Sequence, residues 1–201
     1  MSTGKDKRQI PQTEKHPLQP FYPEKAEWLF LGSFPPKRQR WSMDFFYPNF
    51  QNDMWRIFGL VFFGDKNRFV DGANKSFKKE EIIEFLTSRH IAVYDMAEKV
   101  IRHKDNASDK DLEIVEPLDI IQVITRLPDL RNIVVTGQKS AETLIRQLSL
   151  ANIEIDSPKV GTYVSFSIRN RNIHVYRMPS SSRAYPLPLK TKAAVYGDMF
   201  Q

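Results

Sequence analysis

Short, continuously apolar runs that end at glycine or turn residues predict the strands of this chain. Residues 28–31 form the first run and stop at Gly32, as expected for a strand covered on both faces. Two similar runs occupy residues 91–94 and 132–136. Near the end of the chain, apolar and polar positions alternate on either side of a turn at 169–172. This last pattern predicts a hairpin whose second arm joins the sheet.

Apolar positions at helical spacing separate these strands. The clearest helix is predicted at 79–88, where Ile82, Ile83, Phe85 and Leu86 form one face. Further helices are predicted at 53–58, 118–127, 140–148 and 191–200. Strands that alternate with helices indicate an α/β fold, here a three-layer α/β/α sandwich with a mostly parallel central sheet of about four strands. Such sheets bind ligands at the carboxyl ends of their strands.

The first 26 residues differ in composition from the rest of the chain. Pro11, Pro17, Pro20 and Pro23 interrupt a polar stretch, and each proline disfavours helix propagation and central strand pairing. We therefore expect a tail or surface arm at 1–26 and a single α/β domain at 27–201. A chain of 201 residues has room for a single substantial core.

Composition narrows the class of protein. A hydrophobic content of 41% with 12% aromatic residues is too apolar for a disordered chain. No apolar run approaches the roughly 20 residues that a membrane-spanning helix needs. Residues 1–12 are polar and basic, without the apolar segment of a secretion signal. A soluble, cytoplasmic protein is expected.

Residue types also limit the possible chemistry. The chain has no cysteine, which excludes thiol nucleophiles, disulfides and iron–sulfur clusters. Its four histidines are scattered without metal-ligand spacing, and no glycine-rich phosphate loop is present, so neither a metal nor a cofactor is expected. The net charge of +6 suits a polyanion such as nucleic acid, although a solvated basic surface would explain it equally well.

Two strand-end loops are rich in serine, proline and aromatic residues. One spans 32–36 and continues to 45–48, and the other spans 179–183. Both should open at one edge of the sheet, where backbone N–H groups, hydroxyls and a ring would suit a flat polar base and its phosphates. The alternative is that both loops are tight turns packed by prolines.

Several short stretches, taken in order, carry a family resemblance. They are 31–35 (LGSFP), 46–55 (FYPNFQNDMW), 94–96 (YDM), 106–109 (NASD), 134–141 (VVTGQKSA) and 178–182 (MPSSS). The first is similar to a G-S-x-P-G motif, the fifth to N-G-K-x-A and the last to P-S-x-S. From about Trp28 onward, the chain resembles the uracil-DNA glycosylase superfamily, closest to its hypoxanthine and G:T/U mismatch branches.

The resemblance implies roles for individual residues. Asn52 matches the asparagine that the hypoxanthine branch uses for catalysis, where its side-chain oxygen would orient the attacking water. The alternative for Asn52 is an ordinary helix N-cap, and the two roles are compatible. Phe46 or Tyr47 would stack on the everted base, and either could instead belong to the core.

The other implied roles concern the base and the DNA. Backbone N–H groups around Ser33 and Phe34 would stabilise the departing base, in a pocket that Gly32, Pro35 and Thr136 help to line. The implied DNA contacts are Ser180, Ser181 and Ser182 to phosphates and Arg183 or Tyr185 filling the vacated space in the duplex.

Three residues depart from the pattern of efficient uracil enzymes. Thr136 stands where relatives often have a base-recognising asparagine, and threonine cannot make paired amide contacts. Met178 replaces a histidine, and Pro36 replaces a small glycine. These departures favour a slower activity on deaminated purines or mispaired bases.

The expected function is a monofunctional DNA glycosylase of base-excision repair. It would hydrolyse the N-glycosidic bond of hypoxanthine, xanthine, uracil or mispaired thymine after base flipping. The expected partner is lesion-containing double-stranded DNA, with single strands as a second possibility, and the expected form is a monomer. The alternatives are a non-catalytic lesion- or nucleic-acid-binding protein with the same fold, and a hydrolase of free nucleosides.

Overall fold

The computed structural model describes residues 12–104 and 111–201. In chain order the elements are β1 (Thr13–Lys15), β2 (Trp28–Gly32), a 3-10 helix (Arg38–Arg40), α1 (Met54–Phe63), β3 (Val70–Asp71), β4 (Ser76–Phe77), α2 (Lys79–Ser88), β5 (Ile91–Asp95), β6 (Ala97–Arg102), β7 (Leu112–Pro117), α3 (Ile120–Arg126), β8 (Asn132–Val135), α4 (Gln138–Leu150), β9 (Thr162–Ile168), β10 (Arg171–Arg177) and α5 (Leu189–Met199).

The central sheet has five strands in the order β5-β2-β8-β10-β9. The first four are parallel, and β9 pairs with β10 in the antiparallel sense. The mostly parallel α/β fold is therefore confirmed, with five strands instead of about four because both arms of the predicted hairpin join the sheet. The apolar run of β2 explains its central place, since Leu29, Phe30 and Leu31 are all buried.

The five predicted helices are all present. The predicted and observed bounds of α2 coincide, whereas α1 continues to Phe63 instead of ending at Phe58. It continues because apolar residues extend through the next turn, and it ends at Gly64, whose φ of 67° is left-handed. The helix α1 contacts α5, and α3 contacts α4. The arrangement of the helices as two outer layers stays a prediction.

A second, three-stranded antiparallel sheet, in the order β1-β6-β7, was not predicted. The sequence analysis assigned no strand to its region, because charged residues interrupt the short apolar pattern. Strand β1 comes from the amino-terminal arm, and Phe21 of the same arm pairs with Val93 at the edge of β5. The motif at 106–109 lies outside the described residues.

The parallel strands direct four loops toward one edge of the central sheet. Gly32, Asp95, Val135 and Arg177 are the last residues of β2, β5, β8 and β10. This edge is where an α/β sheet of this type forms its ligand site. Over residues 12–104 and 111–201, no helix has the length and apolar character needed to cross a membrane.

Candidate active site

The loop that precedes α1 and the loop that follows β10 meet at this edge. Asn52 and Ser182 form an antiparallel bridge, and the Asp53 N–H donates to the Ser181 carbonyl at 2.9 Å. The Asn52 N–H donates to the Asn49 carbonyl at 2.7 Å, which closes a turn just before the contact. Two segments that are distant in sequence are thus joined by backbone hydrogen bonds.

Asn52 lies partly exposed at this junction. Its Oδ1 accepts the Met54 N–H at 2.9 Å, while Asp53, next to the helix, makes no side-chain cap. Asn52 therefore has the capping contact that its position before a helix suggested. An amide oxygen has two lone pairs, so the same atom can still accept a hydrogen bond from water.

A buried ionic cluster, Asp53–Lys192–Arg183, lies behind Asn52. Asp53 Oδ2 is 3.2 Å from Lys192 Nζ, and its Oδ1 accepts from Arg183 Nε at 3.1 Å. Lys192 is 1% exposed and also donates to the Ser182 carbonyl at 2.8 Å. The Arg183 side chain is about half exposed at the surface. The cluster fixes the loop at 179–183, called the late loop below, to α5. The sequence analysis assigned no role to Asp53 or Lys192.

Two of the three serines in the late loop have hydroxyls near the surface. Ser180 Oγ accepts the Ser182 N–H at 3.2 Å, and Ser182 Oγ accepts the Ala184 N–H at 3.2 Å. Each hydroxyl retains its proton for donation to another group, such as a phosphate oxygen. Ser181 is buried and contributes its carbonyl to Asp53 instead. Tyr185 is partly exposed in the same loop, and its backbone N–H donates to the Ser182 carbonyl.

The first loop leaves β2 beside a carboxylate and a phenol. A Cβ at Gly32 would lie 2.2 Å from Asp95 Oδ1 and 3.8 Å from the Tyr47 hydroxyl. Tyr47 donates to Thr136 Oγ1 at 3.1 Å, and Thr136 in turn donates to the Leu31 carbonyl at 3.4 Å. Gly32 thus lies between Asp95 on one side and Tyr47 with Thr136 on the other.

Tyr47 is held in an unusual backbone conformation. Its φ of 49° falls in the left-handed region, which residues other than glycine seldom adopt. Burial, and to a smaller degree the nearby Asp95 carboxylate, raises the pKa of the phenol above its ordinary value, and the bond to Thr136 offsets part of this. The phenol is therefore protonated at neutral pH and acts as a hydrogen-bond donor.

The adjacent aromatic residues Phe46 and Tyr47 lie in different environments. Phe46 is 3% exposed and packs edge-to-face against Phe45 and Tyr94 at centroid distances of 5.2 and 6.0 Å. Tyr47 is partly exposed above Gly32. Of the two rings considered for base stacking, the structure brings Tyr47 to the strand ends and places Phe46 in the core.

A buried His16–Asp95 pair completes this side of the site. His16 Nε2 is 2.9 Å from Asp95 Oδ2, with side-chain exposures of 1% and 10%. The imidazole lies among aromatic rings, 4.6 Å from Tyr94 and 5.2 Å from Phe34. The sequence analysis missed this pair because His16 belongs to the proline-rich arm, although Asp95 directly follows a predicted strand and lies in a quoted motif.

The remaining residues of the first loop are braced by the small sheet. Arg102 donates to the Pro35 carbonyl at 3.1 Å and forms an ion pair with Glu14. Phe34 packs on the apolar cluster that includes Val100. Ser33 is partly exposed at the start of this loop. The loop is thus held to the small sheet through its backbone and its aromatic ring.

Two cavities lie away from this junction. One of about 380 Å³ is lined by Tyr22, Ala26 and Arg126 at the opposite edge of the sheet, and one of about 280 Å³ is lined by residues including His16 and Glu98. In the part of the chain that the structure describes, no group of three His, Asp or Glu residues is arranged to hold a metal ion.

The fold and this edge define an α/β protein of the class that binds ligands at the carboxyl ends of a mostly parallel sheet. Among solved structures, the chain is similar to the solution NMR structure of "a putative Uracil DNA glycosylase from Methanosarcina acetivorans", with a TM-score of 0.57. The two sequences are 20% identical, over 94% of this chain and 100% of that one. The chain therefore has a uracil-DNA-glycosylase-like fold. No protein-family model and no curated protein matches the sequence.

A Gly32→Ala variant tests the close approach of Asp95. The added methyl group would lie 2.2 Å from Asp95 Oδ1, so a buried carboxylate or the end of β2 must shift. We expect a loss of about 1–3 kcal/mol in the free energy of unfolding, measured with urea. A Gly72→Ala variant is the matched control, because no atom lies within 4 Å of its added Cβ. Equal stability of both variants would contradict the close approach.

Proposed function

We propose that the protein is a monofunctional DNA glycosylase of the hypoxanthine and mismatch type. It hydrolyses the N-glycosidic bond of hypoxanthine, xanthine, uracil or mispaired thymine after the nucleotide has rotated out of the duplex. The observation that carries the proposal is the junction of Asn52 with Ser182, which joins the loop before α1 to the loop that follows the carboxyl end of β10. The likeness in fold to the solved structure described as "a putative Uracil DNA glycosylase" supports it.

The attacking water is held by Asn52. Its Oδ1 is fixed by the Met54 N–H and accepts a hydrogen bond from the water with its second lone pair. The water oxygen forms a bond to the sugar C1′ as the bond from C1′ to the base breaks, and its proton passes to solvent. An amide is not a strong base, so Asn52 contributes orientation while the sugar carries oxocarbenium character.

The departing base is held at the end of β2. Backbone N–H groups around Ser33 and Phe34 stabilise the electron pair that the base takes with it, before the base is protonated. The Tyr47 ring, whose hydroxyl is bonded to Thr136 at the strand ends, stacks on the base, a contact worth about 1–3 kcal/mol. Thr136, unlike an asparagine, does not make a paired amide contact, which favours deaminated purines and mispairs over rapid uracil selection.

The late loop binds the DNA backbone. The hydroxyl oxygens of Ser180 and Ser182 accept backbone N–H groups. Each hydroxyl therefore still has its proton to donate, and a phosphate oxygen can accept it. Arg183 has a half-exposed guanidinium anchored through its Nε to Asp53. Arg183 or Tyr185 fills the space that the everted nucleotide leaves.

The proposal excludes strand cleavage by an amine. Cleavage of that kind requires an unprotonated amine that attacks C1′ to form a Schiff base. Lys192, the lysine bonded to the late loop, is 1% exposed and engaged with Asp53 and Ser182. Its ammonium is therefore not free to act as a nucleophile, and the expected product is an intact strand with an abasic site.

A panel of labelled duplexes tests the proposal. Each carries hypoxanthine, xanthine, uracil or mispaired thymine, and alkali reveals the abasic sites after incubation. We expect strand breaks with at least one lesion after alkali and none before it. Tight binding without base release would favour the non-catalytic alternative, and inhibition by free nucleosides but not by long duplexes would favour a nucleoside hydrolase.

A further inference from the structure

We propose that Arg56 is a positioning residue for Asn52 and holds the turn before α1 in the geometry that base release requires. This inference rests on the proposed function and adds a residue to its mechanism. Arg56 lies in the first turn of α1, four residues after Asn52. It is only 7% exposed, although arginine is mostly a surface residue.

The guanidinium of Arg56 reaches back to the loop that precedes its own helix. Its Nη1 donates to the Phe50 carbonyl at 2.8 Å and to the Asn52 carbonyl at 3.0 Å. Both carbonyls belong to the turn that the bond from the Asn52 N–H to the Asn49 carbonyl closes. One nitrogen with two N–H groups thus joins two points of this turn to α1.

Two phenyl rings hold the guanidinium in place. Its Cζ lies 4.6 Å from the ring centroid of Phe50 and 5.1 Å from that of Phe77 in β4. The centroids of the two rings are themselves 5.4 Å apart. A planar guanidinium stacks on aromatic rings while it donates hydrogen bonds, so packing fixes the direction of the Nη1 donors.

Burial of this cation has a cost in free energy. Burial lowers the pKa of Arg56, the charge of Arg183 lowers it further, and the Asp53 carboxylate partly offsets both effects. Because a guanidinium stays charged in proteins, it must be stabilised where it lies. An apolar side chain of similar size would avoid this cost. Stability alone therefore does not account for an arginine at this position.

The two carbonyl bonds account for it through Asn52. The Asn52 N–H bonds to Asn49 and its Oδ1 accepts from Met54, while Arg56 holds the carbonyl. Loss of the bond from Arg56 would let the peptide unit after Asn52 rotate and would move the point from which the side chain projects. A displacement of about 1 Å in a reacting geometry is enough to slow a reaction by about 100-fold.

A double-mutant cycle tests whether Arg56 acts through Asn52. Single-turnover release is measured at saturating protein, on the lesion duplex that the wild type processes fastest, for the wild type, Arg56→Met, Asn52→Ala and the double variant. We expect Arg56→Met to slow release by about ten- to 100-fold in the wild-type background. In the Asn52→Ala background we expect less than about a twofold effect, because the group that Arg56 positions is already absent.

Arg68→Met is the matched control for removal of a stacked arginine. Arg68 also lies over two phenyl rings, 5.2 Å from Phe63 and 5.5 Å from Phe69, and its ion pair is with Glu81 in α2. We expect Arg68→Met to release base at the wild-type rate. Arg56→Lys keeps a charged donor but loses the planar group, so we expect it to be faster than Arg56→Met and slower than the wild type.

Urea denaturation shows which of these variants fold, and Arg56→Lys replaces Arg56→Met in the cycle if the latter does not. Equal slowing in both backgrounds would indicate a general structural effect and would overturn the inference. Wild-type release by the variant at position 56, or an equal loss in Arg68→Met, would overturn it as well. Absence of release from every lesion duplex by the wild type would instead overturn the proposed function.

Discussion

An Asn52→Ala variant is expected to release base at least about 100-fold more slowly than the wild type, because displacement of a reactant by about 1 Å has an effect of this size. Its affinity for lesion duplexes is expected to change little, since phosphate contacts supply most of that affinity. Single-turnover kinetics and fluorescence anisotropy measure the two quantities separately.

An Asn52→Asp variant is the matched control for the structural role of the same side chain. The carboxylate can still accept the Met54 N–H, whereas alanine loses this contact at a cost of about 1 kcal/mol. We expect Asn52→Asp to be as stable as the wild type and more active than Asn52→Ala. Base release by Asn52→Ala at the wild-type rate would leave the capping contact as the role of Asn52 and contradict the proposed water contact.

The largest effect on stability is expected from Asp53→Ala. This variant leaves the ammonium of Lys192, which is 1% exposed, with the Ser182 carbonyl as its remaining described partner. Removal of one member of a buried ion pair typically costs about 3–5 kcal/mol, because the other charge stays buried. We expect a loss of this size in the free energy of unfolding, measured by urea denaturation.

Two further variants separate this effect from a general loss of charge. Addition of Lys192→Met to Asp53→Ala is expected to recover much of the lost stability, since no buried charge then remains unpaired. Asp44→Asn removes a carboxylate from an exposed ion pair with Arg38 and is expected to cost less than about 1 kcal/mol. A loss in Asp53→Ala as small as that in Asp44→Asn would contradict the ionic cluster.

The central sheet was predictable because its strands bury both faces. Uninterrupted apolar runs such as 28–31 and 133–135 leave few alternatives to a buried strand, and their order with helices predicts parallel pairing. The small sheet lacks this signal. In β6 and β7 the buried residues are spaced among charged ones, and Lys99 and Glu116 form an ion pair across the strands. Local pattern alone does not reveal such pairing.

The site was predictable to the extent that parallel topology brings strand ends together. The meeting of the loops at Asn52 and Ser182 follows from that rule. The ionic cluster does not, because Asp53 and Lys192 are 139 residues apart and no spacing links them. The sequence also does not show which of the adjacent rings, Phe46 or Tyr47, is buried in the core. In a loop, a shift of one residue exchanges the two environments.

The His16–Asp95 contact ties the beginning of the described chain to the carboxyl end of β5. A shortened protein that starts after Pro17 would keep the five-stranded sheet and Asn52, yet it would lack the imidazole that orients Asp95. Such a deletion would also remove β1 from the three-stranded sheet, and it would leave the Asp95 carboxylate, whose side chain is 10% exposed, without the imidazole beside it.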